Sequence, residues 1–319
     1  QFPYGECYFR DVMVPGKYFI DKTSYIRTLE ETGKYLKIWR PRRFGKTTIC
    51  NMLSLYYDAV NSQEEVTLLY YTHLFNLTTE EMGKYLVLEL SFAAVAPDEN
   101  INRNFCKYIN ITVKHFSEKY YNAGLLDRPI EINHTNAVAT LQDMFSVVKL
   151  SGHKVYLIVD EYDAFVARLV MGVDTRQTDL GKQQYMTTVV DKEAMLRSFG
   201  ETIKKGTADG AIARAYFTGV MPVAFGDSLS GFDMVKDLTF LPQFEGMLGL
   251  TAADIAQGLR MIPSLTEEKR AGYLQQMCLQ YEGYRFVRTQ KEAVYNPQYV
   301  QYFLQHVKEY EESPSSMVD

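Results

Sequence analysis

Three adjacent residues, Gly45, Lys46 and Thr47, have the chemistry needed to hold a polyphosphate. They follow an apolar stretch and open a helical pattern, and the first amides of a helix point outwards without an intrahelical partner. Glycine adds no Cβ that would obstruct a ligand, and a lysine ammonium at this place can reach terminal phosphates. The Thr47 hydroxyl is of the type that holds Mg²⁺ in such loops. These residues therefore predict one half of a nucleotide site.

The loop departs at one position from the usual spacing, which is G-x-x-x-x-G-K-[ST]. Arg40 stands where that pattern has its first glycine, in the run Arg-Pro-Arg-Arg-Phe-Gly-Lys-Thr. Taken by itself, the stretch therefore also fits an ordinary basic loop that precedes an amphipathic helix.

Two acids at the end of a second apolar run favour the nucleotide site. Residues 155–159 have the pattern of a buried strand, and Asp160 and Glu161 follow directly. Open α/β sheets place their sites at the carboxyl ends of such strands. Asp160 fits a contact to Mg²⁺, and Glu161 fits the base that polarises an attacking water. Asp163 would either tune this pair electrostatically or cap the following helix, and the cap is the favoured interpretation.

The elements around these residues alternate between strand and helix. Strands are predicted over residues 35–39, 85–92, 155–159 and 213–220, and helices over residues 24–31, 47–57, 101–121, 136–150 and 191–205. The helical stretches carry apolar residues at intervals of three and four. Because alternating strands and helices form parallel sheets, the predicted fold is α/β with a mostly parallel, doubly wound sheet.

Helical patterns dominate after Thr251, over residues 252–259, 267–281 and 297–310. We therefore expect an α/β domain over residues 1–250 and a small helical, lid-like domain over residues 251–310. Residues 311–319 have the composition of a disordered tail or linker.

Composition narrows the possible partners. The chain has 319 residues, of which 46% are hydrophobic and 23% charged, enough for a sizeable core and an accessory domain. Its formal net charge of −5 argues against broad coating of nucleic acid. The arginines of the loop, Arg40, Arg42 and Arg43, are therefore expected to face nucleotide rather than DNA.

The compartment and the absence of a membrane segment are also expectations from sequence. The four cysteines, at positions 7, 50, 106 and 278, have no C-x-x-C spacing, which indicates a reducing, intracellular compartment, either cytoplasm or nucleus. No apolar run approaches the roughly 20 residues that cross a bilayer, and the first residues lack a signal pattern. We therefore expect no contact with a membrane.

Several short motifs occur in an order that identifies a family. They are Tyr18-Phe19-Ile20-Asp21-Lys22-Thr23, the loop over residues 40–47 and Asp160-Glu161-Tyr162-Asp163, followed by Phe217–Val220, Ser230–Asp233, Gly249–Thr251, Gly283–Phe286 and Val294–Pro297. In these motifs, from Phe2 to His306, the chain resembles the AAA-ATPase-like family of P-loop proteins. Members of that family often adjoin a PD-(D/E)XK nuclease domain.

The resemblance accounts for Arg40, because Arg-Pro-Arg-Arg-Phe-Gly-Lys-Ser/Thr is the form that this family's phosphate loop takes. It implies a site for ATP and Mg²⁺ in which these residues bind the nucleotide: Arg42, Arg43, Phe44, Gly45, Lys46, Thr47, Thr48 and Thr218. Lys46 and Glu161 would be catalytic, and Thr47 and Asp160 would hold the metal. Thr218 would sense the terminal phosphate, or cap a turn. Arg42 and Arg43 would bind phosphate, or pair with acids of the same fold.

Two further motifs leave their roles open. Asp21 and Thr23 would lie near the nucleotide base, although starting the next helix is sufficient to explain them. Tyr284 and the Tyr295-Asn296-Pro297 turn would send the helical domain against the nucleotide, or simply pack.

The predicted function is Mg²⁺-dependent binding and hydrolysis of ATP by a molecular switch or regulatory ATPase that serves an attached domain or partner. One alternative is a protein-interaction module in which nucleotide staples the fold without turnover. Another is the ATPase part of a nuclease-linked or nucleic-acid-processing effector. A homo-oligomer is an open possibility, with Arg214 and Arg285 as candidates for an arginine that completes a neighbouring site.

Overall fold

The structure of the protein, a computed structural model, describes residues 1–5, 8–14, 16–61, 72, 78–95, 100–163, 197–220 and 234–316. The strands are β1 (Tyr35–Trp39), β2 (Leu86–Ser91), β3 (Val155–Asp160), β4 (Ile212–Gly219) and β5 (Lys236–Asp237). The helices are α1 (Phe9–Val12), α2 (Tyr25–Thr32), α3 (Lys46–Tyr57), α4 (Ile101–Asn122), α5 (Ala137–Leu150), α6 (residues 197–208), α7 (Ala252–Arg260), α8 (Glu267–Tyr281) and α9 (Pro297–Tyr310).

The five strands form one sheet in the order β2-β3-β4-β1-β5, and every neighbouring pair is parallel. Strand β4 therefore lies between β1 and β3, which carry the two halves of the predicted site. The register pairs Trp39 with Gly219 and Ser91 with Asp160. All carboxyl ends consequently lie at one edge of the sheet, as parallel pairing requires.

Helices cover both faces of the sheet. Side chains of a strand alternate between faces, so Leu36 and Ile38 pack with α1, α2 and α3 in one buried cluster. Leu157 and Val159 point the other way, into a second cluster with α4, α5 and α6. The mostly parallel, doubly wound α/β fold predicted from sequence is confirmed.

The C-terminal helices α7, α8 and α9 share a third buried cluster. Thr251 and Asp254 form a capping box at the start of α7. The cluster also takes in Phe2 and Tyr18 from the start of the chain, and the Tyr18 hydroxyl donates to the Asp254 carbonyl at 2.7 Å. The first residues are thereby tied to the C-terminal helices.

Most of the predicted elements occur within one or two residues of their expected bounds. Strand β5 was not predicted, and residues 191–196 of the helix expected over 191–205, the Ser230–Asp233 motif and Cys7 lie outside the described residues. In the stretch expected to be a tail, the Ser313 hydroxyl accepts from Gln276 at 2.7 Å and Pro314 is buried. Residues 311–316 therefore lie against the C-terminal helices. Across the described part of the chain, no helix has the length and apolar character needed to cross a membrane.

Candidate functional site

The loop between β1 and α3 has the backbone of an anion-binding turn. Arg43 and Gly45 both have positive φ, at 66° and 86°, and α3 begins at Lys46. These left-handed residues turn successive amides toward one side, where an anion can accept from them. Glycine reaches this conformation without strain, whereas the same conformation is strained for Arg43.

Lys46 lies under this turn with only 5% of its surface exposed. Its ammonium donates to the carbonyls of Pro41 at 2.8 Å and Arg40 at 3.1 Å. Burial lowers the pKa of Lys46, and the negative charge of Asp160 is the strongest of several effects that oppose this. The amine and the carboxylate are therefore on the same side of the molecule and act on each other.

Thr47 and Asp160 are joined directly, although they are 113 residues apart in sequence. The Thr47 hydroxyl donates to Asp160 Oδ2 at 2.6 Å. Burial raises the pKa of Asp160, while this bond and the charge of Lys46 lower it in part. The hydroxyl and the carboxylate together present oxygen atoms of the kind that Mg²⁺ prefers.

Glu161 follows Asp160 at the end of β3 and has a positive φ of 51°. Its amide donates to Asp160 Oδ1 at 2.9 Å, and its side chain lines the cleft beside the phosphate loop. Non-glycine residues in this conformation are strained by roughly 1–3 kcal/mol and cluster at functional sites. Of these two neighbouring acids, Glu161 lines the cleft and Asp160 does not.

Asp163 has a role other than the expected helix cap. It lies within the helical turn that follows Glu161, and its Oδ2 accepts the Val220 amide at 2.8 Å. This bond joins the end of β3 to the end of β4. Residues 164–196, which follow Asp163, lie outside the described residues, so the helix cap stays a prediction.

Thr218 is completely buried near the end of β4, and its hydroxyl has no hydrogen-bond partner among the described residues. It does not line the cleft, and neither does Arg42, which is exposed. The six other predicted nucleotide-binding residues do line the cleft: Arg43, Phe44, Gly45, Lys46, Thr47 and Thr48.

The cleft continues from the phosphate loop into an apolar space, and its volume is about 230 Å³. The apolar walls come from the N-terminal segment, α3 and the stretch before α7: Phe9, Val12, Phe19, Ile20, Ile49, Met52, Met247, Leu248 and Leu250. Lys22, Gln298 and Gln301 add polar groups. The loop before α3 and an apolar end thus line one cleft.

Asp21 and Thr23 form a local turn. The Asp21 side chain accepts from the Thr23 amide at 2.8 Å and from its hydroxyl at 2.6 Å. Helix α2 begins at Tyr25 without a side-chain cap. The two residues therefore shape the chain ahead of the helix, and it is their neighbours Ile20 and Lys22 that reach the cleft.

The two arginines considered for a neighbouring site have different settings. Arg214 lies near the amino end of β4, where it pairs with Glu81 at 3.4 Å and donates to the Gly33 carbonyl at 3.2 Å. Arg285 is exposed. Of the two, Arg214 is thus engaged within its own chain.

Comparison with known families fits this geometry. A family model described as Predicted AAA-ATPase matches residues 3–229, which is more than half of the chain. The chain belongs to the AAA-ATPase-like family. The family predicted from the motifs is confirmed, and at this level so is an ATPase that binds nucleotide. The motifs of this AAA-ATPase-like chain at residues 249–251, 283–286 and 294–297 lie beyond the matched residues.

A search of solved structures found the ORC2 protein of Aeropyrum pernix, determined in ADPNP and ADP complexes. The match covers 92% of this chain and 67% of that one, with 12% identity and a TM-score of 0.31. A likeness of this size supports no inference about this chain. No curated protein matches the chain.

The donor set at the phosphate loop fits Mg²⁺ that is held jointly with a substrate. Among the described residues, no group of three or more His, Cys, Asp or Glu side chains is placed to hold a metal. Mg²⁺ is usually bound through one or two protein ligands plus phosphates and water. Thr47 and Asp160 match that arrangement, because they supply two oxygens next to the anion-binding turn.

The sequence did not predict the apolar end of the cleft. Its walls come from segments that are far apart in the chain, such as Phe9 and Leu248, and no spacing rule connects them. The one available signal was the apolar pair Phe19 and Ile20 in the motif before α2. Such a pair is equally typical of residues in a hydrophobic core.

Proposed function

We propose that the chain binds Mg²⁺-ATP in this cleft and hydrolyses it, and that the bound state controls an attached domain or a partner. The observation that carries the proposal is the bond of 2.6 Å between the Thr47 hydroxyl and Asp160 Oδ2, beside the buried ammonium of Lys46. P-loop enzymes bind a triphosphate with four kinds of group: an ammonium, a hydroxyl, a carboxylate and backbone amides that point toward the ligand.

Each residue has a specific task in this proposal. The amides of the turn at Gly45 would donate to phosphate oxygens, and Lys46 would neutralise charge that grows as the terminal phosphate leaves. Thr47 and Asp160 would hold Mg²⁺, which when bound supplies positive charge next to the phosphate oxygens. Glu161 would accept a hydrogen bond from water and orient it for attack.

The apolar end of the cleft supports a nucleotide rather than a simple polyphosphate as the ligand. A base needs apolar surface above and below its ring, and Phe19, Ile20 and Met52 provide such surface. The sequence has no N-K-x-D motif for guanine, so adenine, which is held mainly by apolar and backbone contacts, is the proposed base.

The position of α9 supports a switch. Pro297, Gln298 and Gln301 at its start line the cleft together with residues of the phosphate loop. A ligand in the cleft would therefore touch both the α/β sheet region and the C-terminal helices. The division into an α/β domain and a lid-like helical domain is part of this proposal.

Two substitutions test binding and hydrolysis separately. Lys46→Ala should weaken ATP binding by about 100-fold, since a hydrogen bond to a charged group is worth roughly 1.5–3 kcal/mol. Glu161→Gln should leave binding intact and lower kcat by about 100-fold or more, because it removes the base. Binding is measured by calorimetry with a slowly hydrolysed ATP analogue, and turnover by phosphate release.

Lys114→Ala serves as the control, because its side chain is 64% exposed on α4. Normal hydrolysis by both Lys46→Ala and Glu161→Gln would overturn the site. Tight ATP binding by the natural chain without phosphate release above background would instead support a nucleotide that only staples the fold.

A further inference from the structure

Arg40 is the residue that replaces the first glycine of the usual loop pattern, and its side chain is almost fully buried, with 1% exposed. Its Nη1 donates to the Trp39 carbonyl at 2.9 Å and to the Thr239 carbonyl at 3.0 Å. Burial lowers the pKa of Arg40 to about 10, with a partial opposing effect of Tyr216. The side chain is therefore still a cation at neutral pH.

The guanidinium lies against an aromatic cluster from the C-terminal part of the chain. Its Cζ is 3.9 Å from the centre of the Phe286 ring. Phe286 lies parallel to Tyr284, and both rings meet the Phe44 ring edge-on, at 5.8 and 5.1 Å. We call Arg40, Phe44, Tyr284 and Phe286 the aromatic latch. Two of its members belong to the phosphate loop and two to the stretch after α8.

Two hydrogen bonds to backbone carbonyls of the loop lie next to the latch. The Phe44 carbonyl accepts from the Gly249 amide at 3.3 Å, and the Arg42 carbonyl accepts from Asn296 Nδ2 at 3.2 Å. Arg40, Arg42 and Phe44 thus all contact residues beyond position 238. The cleft side of the same loop is formed by Arg43, Phe44 and the residues that follow.

The burial of the Arg40 guanidinium costs free energy of folding, so its presence points to a role other than stability. Arg40 Nε and Nη2 are buried and have no hydrogen-bond partner among the described residues. Buried donors without acceptors destabilise a fold, whereas an apolar side chain of similar size would carry no such cost. What the guanidinium adds is a flat, rigid group that lies on a ring and donates to two carbonyls at once.

We propose that Arg40 is a positioning residue that couples the shape of the phosphate loop to the docking of residues 284–296 behind it. The inference rests on the proposed function, because the loop shape matters through the nucleotide that it binds. The coupling is reciprocal by necessity. Nucleotide that holds the loop in its turn stabilises the docked segment, and the docked segment raises the affinity for nucleotide.

The test uses Arg40→Lys, which keeps the charge but removes the flat group, and Phe286→Leu, which removes the ring face while the sequence of the loop is unchanged. Affinity for an ATP analogue with Mg²⁺ is measured by calorimetry, and hydrogen exchange is followed with and without nucleotide. In the natural chain, nucleotide should slow exchange over residues 43–47 and over 284–296. In both variants, affinity should fall about tenfold and the protection of 284–296 should disappear.

Matched controls separate the latch from general loss of stability. Arg128→Lys changes an arginine paired with Asp143 on the surface, and Phe105→Leu removes a buried ring from the opposite face of the sheet. Both should keep the natural affinity and the nucleotide-dependent protection of 284–296. If Arg40→Lys does not fold, Phe286→Leu alone decides.

A second measurement needs no nucleotide. Phe286→Leu should speed exchange at residues 43–47 in the absence of ligand, whereas Phe105→Leu should not. The proposal is overturned if Phe286→Leu leaves the exchange at residues 43–47 unchanged. It is also overturned if both latch variants keep the natural affinity and the nucleotide-dependent protection of residues 284–296. If the natural chain does not bind nucleotide at all, the proposed function fails, and the ligand-free exchange still decides whether the latch holds the loop.

Discussion

The carboxylate of Asp163 accepts the backbone amide of Val220 at 2.8 Å and so ties the end of β3 to the end of β4. The two strands carry Asp160 and Thr218 at these ends. Gly219 precedes Val220 and lies against the Asp163 side chain. A Cβ built on this glycine would come within 2.5 Å of the Trp39 ring and closer still to Asp163 Oδ1.

Gly219→Ala should therefore be destabilising by about 1–3 kcal/mol, the usual cost of forcing an extra carbon into a packed site. Because Asp163 or Trp39 must move, ATP turnover should fall as well. Gly272→Ala is the control, since a Cβ there meets nothing within 4 Å on helix α8. That variant should gain roughly 1 kcal/mol in denaturant unfolding. Equal stability of the two variants would contradict the packing described.

Local patterns in the sequence were sufficient to predict most elements and the approach of Thr47 to Asp160. Strand β1 and helices α8 and α9 have the predicted bounds, because apolar spacing and caps such as Asn296 are local signals. The bond between Thr47 and Asp160 follows from parallel strands that end at one edge. The roles of Thr47 and Asp160 in binding nucleotide and Mg²⁺ remain predictions.

Other features depend on contacts that no local pattern shows. Strand β5 has only two residues, too few for a period to appear. An arginine stands at position 40, where the usual loop pattern has glycine, and its guanidinium carbon is 3.9 Å from the centre of the Phe286 ring. Because Phe286 is far along the chain, no local pattern could reveal this contact. The bond of Asp163 to Val220 likewise joins two strand ends, and a cap was the natural local interpretation.

Asp160 should reduce stability at neutral pH, because burial raises its pKa in the folded chain. The folded state then favours the neutral acid, so this contribution is most favourable below the unfolded pKa and is lost as pH rises through the folded pKa. Asp160→Asn should therefore raise the free energy of unfolding at pH 7, by about 1 kcal/mol, a usual size for one stabilising change. The gain should shrink at about pH 4.

The opposite sign is expected at Asp143, which gives this test a control. Its bond with Arg128 lowers the pKa of that carboxyl, so its stabilising contribution is present at neutral pH and fades on acidification through the folded pKa. Asp143→Asn should therefore lose stability at pH 7. Urea unfolding at both pH values checks the pair, and a loss of stability in Asp160→Asn at pH 7 would contradict the burial argument.

The Thr47 hydroxyl should be needed for the dependence of ATP binding on Mg²⁺. Thr47→Val has nearly the same shape but cannot donate to Asp160, whereas Thr47→Ser keeps the hydroxyl. Binding of an ATP analogue is titrated with and without Mg²⁺. The metal should strengthen binding in the natural chain and in Thr47→Ser, and should do so about tenfold less in Thr47→Val. A full metal effect in Thr47→Val would remove Thr47 from the site.

Asn296 has two bonds that can be separated by substitution. Its Oδ1 accepts the Gln298 amide at 3.0 Å and caps α9, while its Nδ2 donates to the Arg42 carbonyl at 3.2 Å. Asn296→Asp keeps the cap acceptor and removes the donor to the loop. We expect its stability to stay within about 1 kcal/mol of the natural chain while ATP affinity falls about fivefold or more.

Asn136 provides the matched comparison, because its side chain caps α5 through the Ala139 amide at 3.2 Å, away from the cleft. Asn136→Ala should cost about 1 kcal/mol of stability and leave ATP affinity unchanged. Asn296→Ala should lose both stability and ATP affinity, because it removes the helix cap and the bond to Arg42. Thermal unfolding and calorimetric binding on the same samples distinguish these patterns. If the affinity of Asn296→Asp equals that of the natural chain, the contact between α9 and the phosphate loop makes no contribution to nucleotide binding.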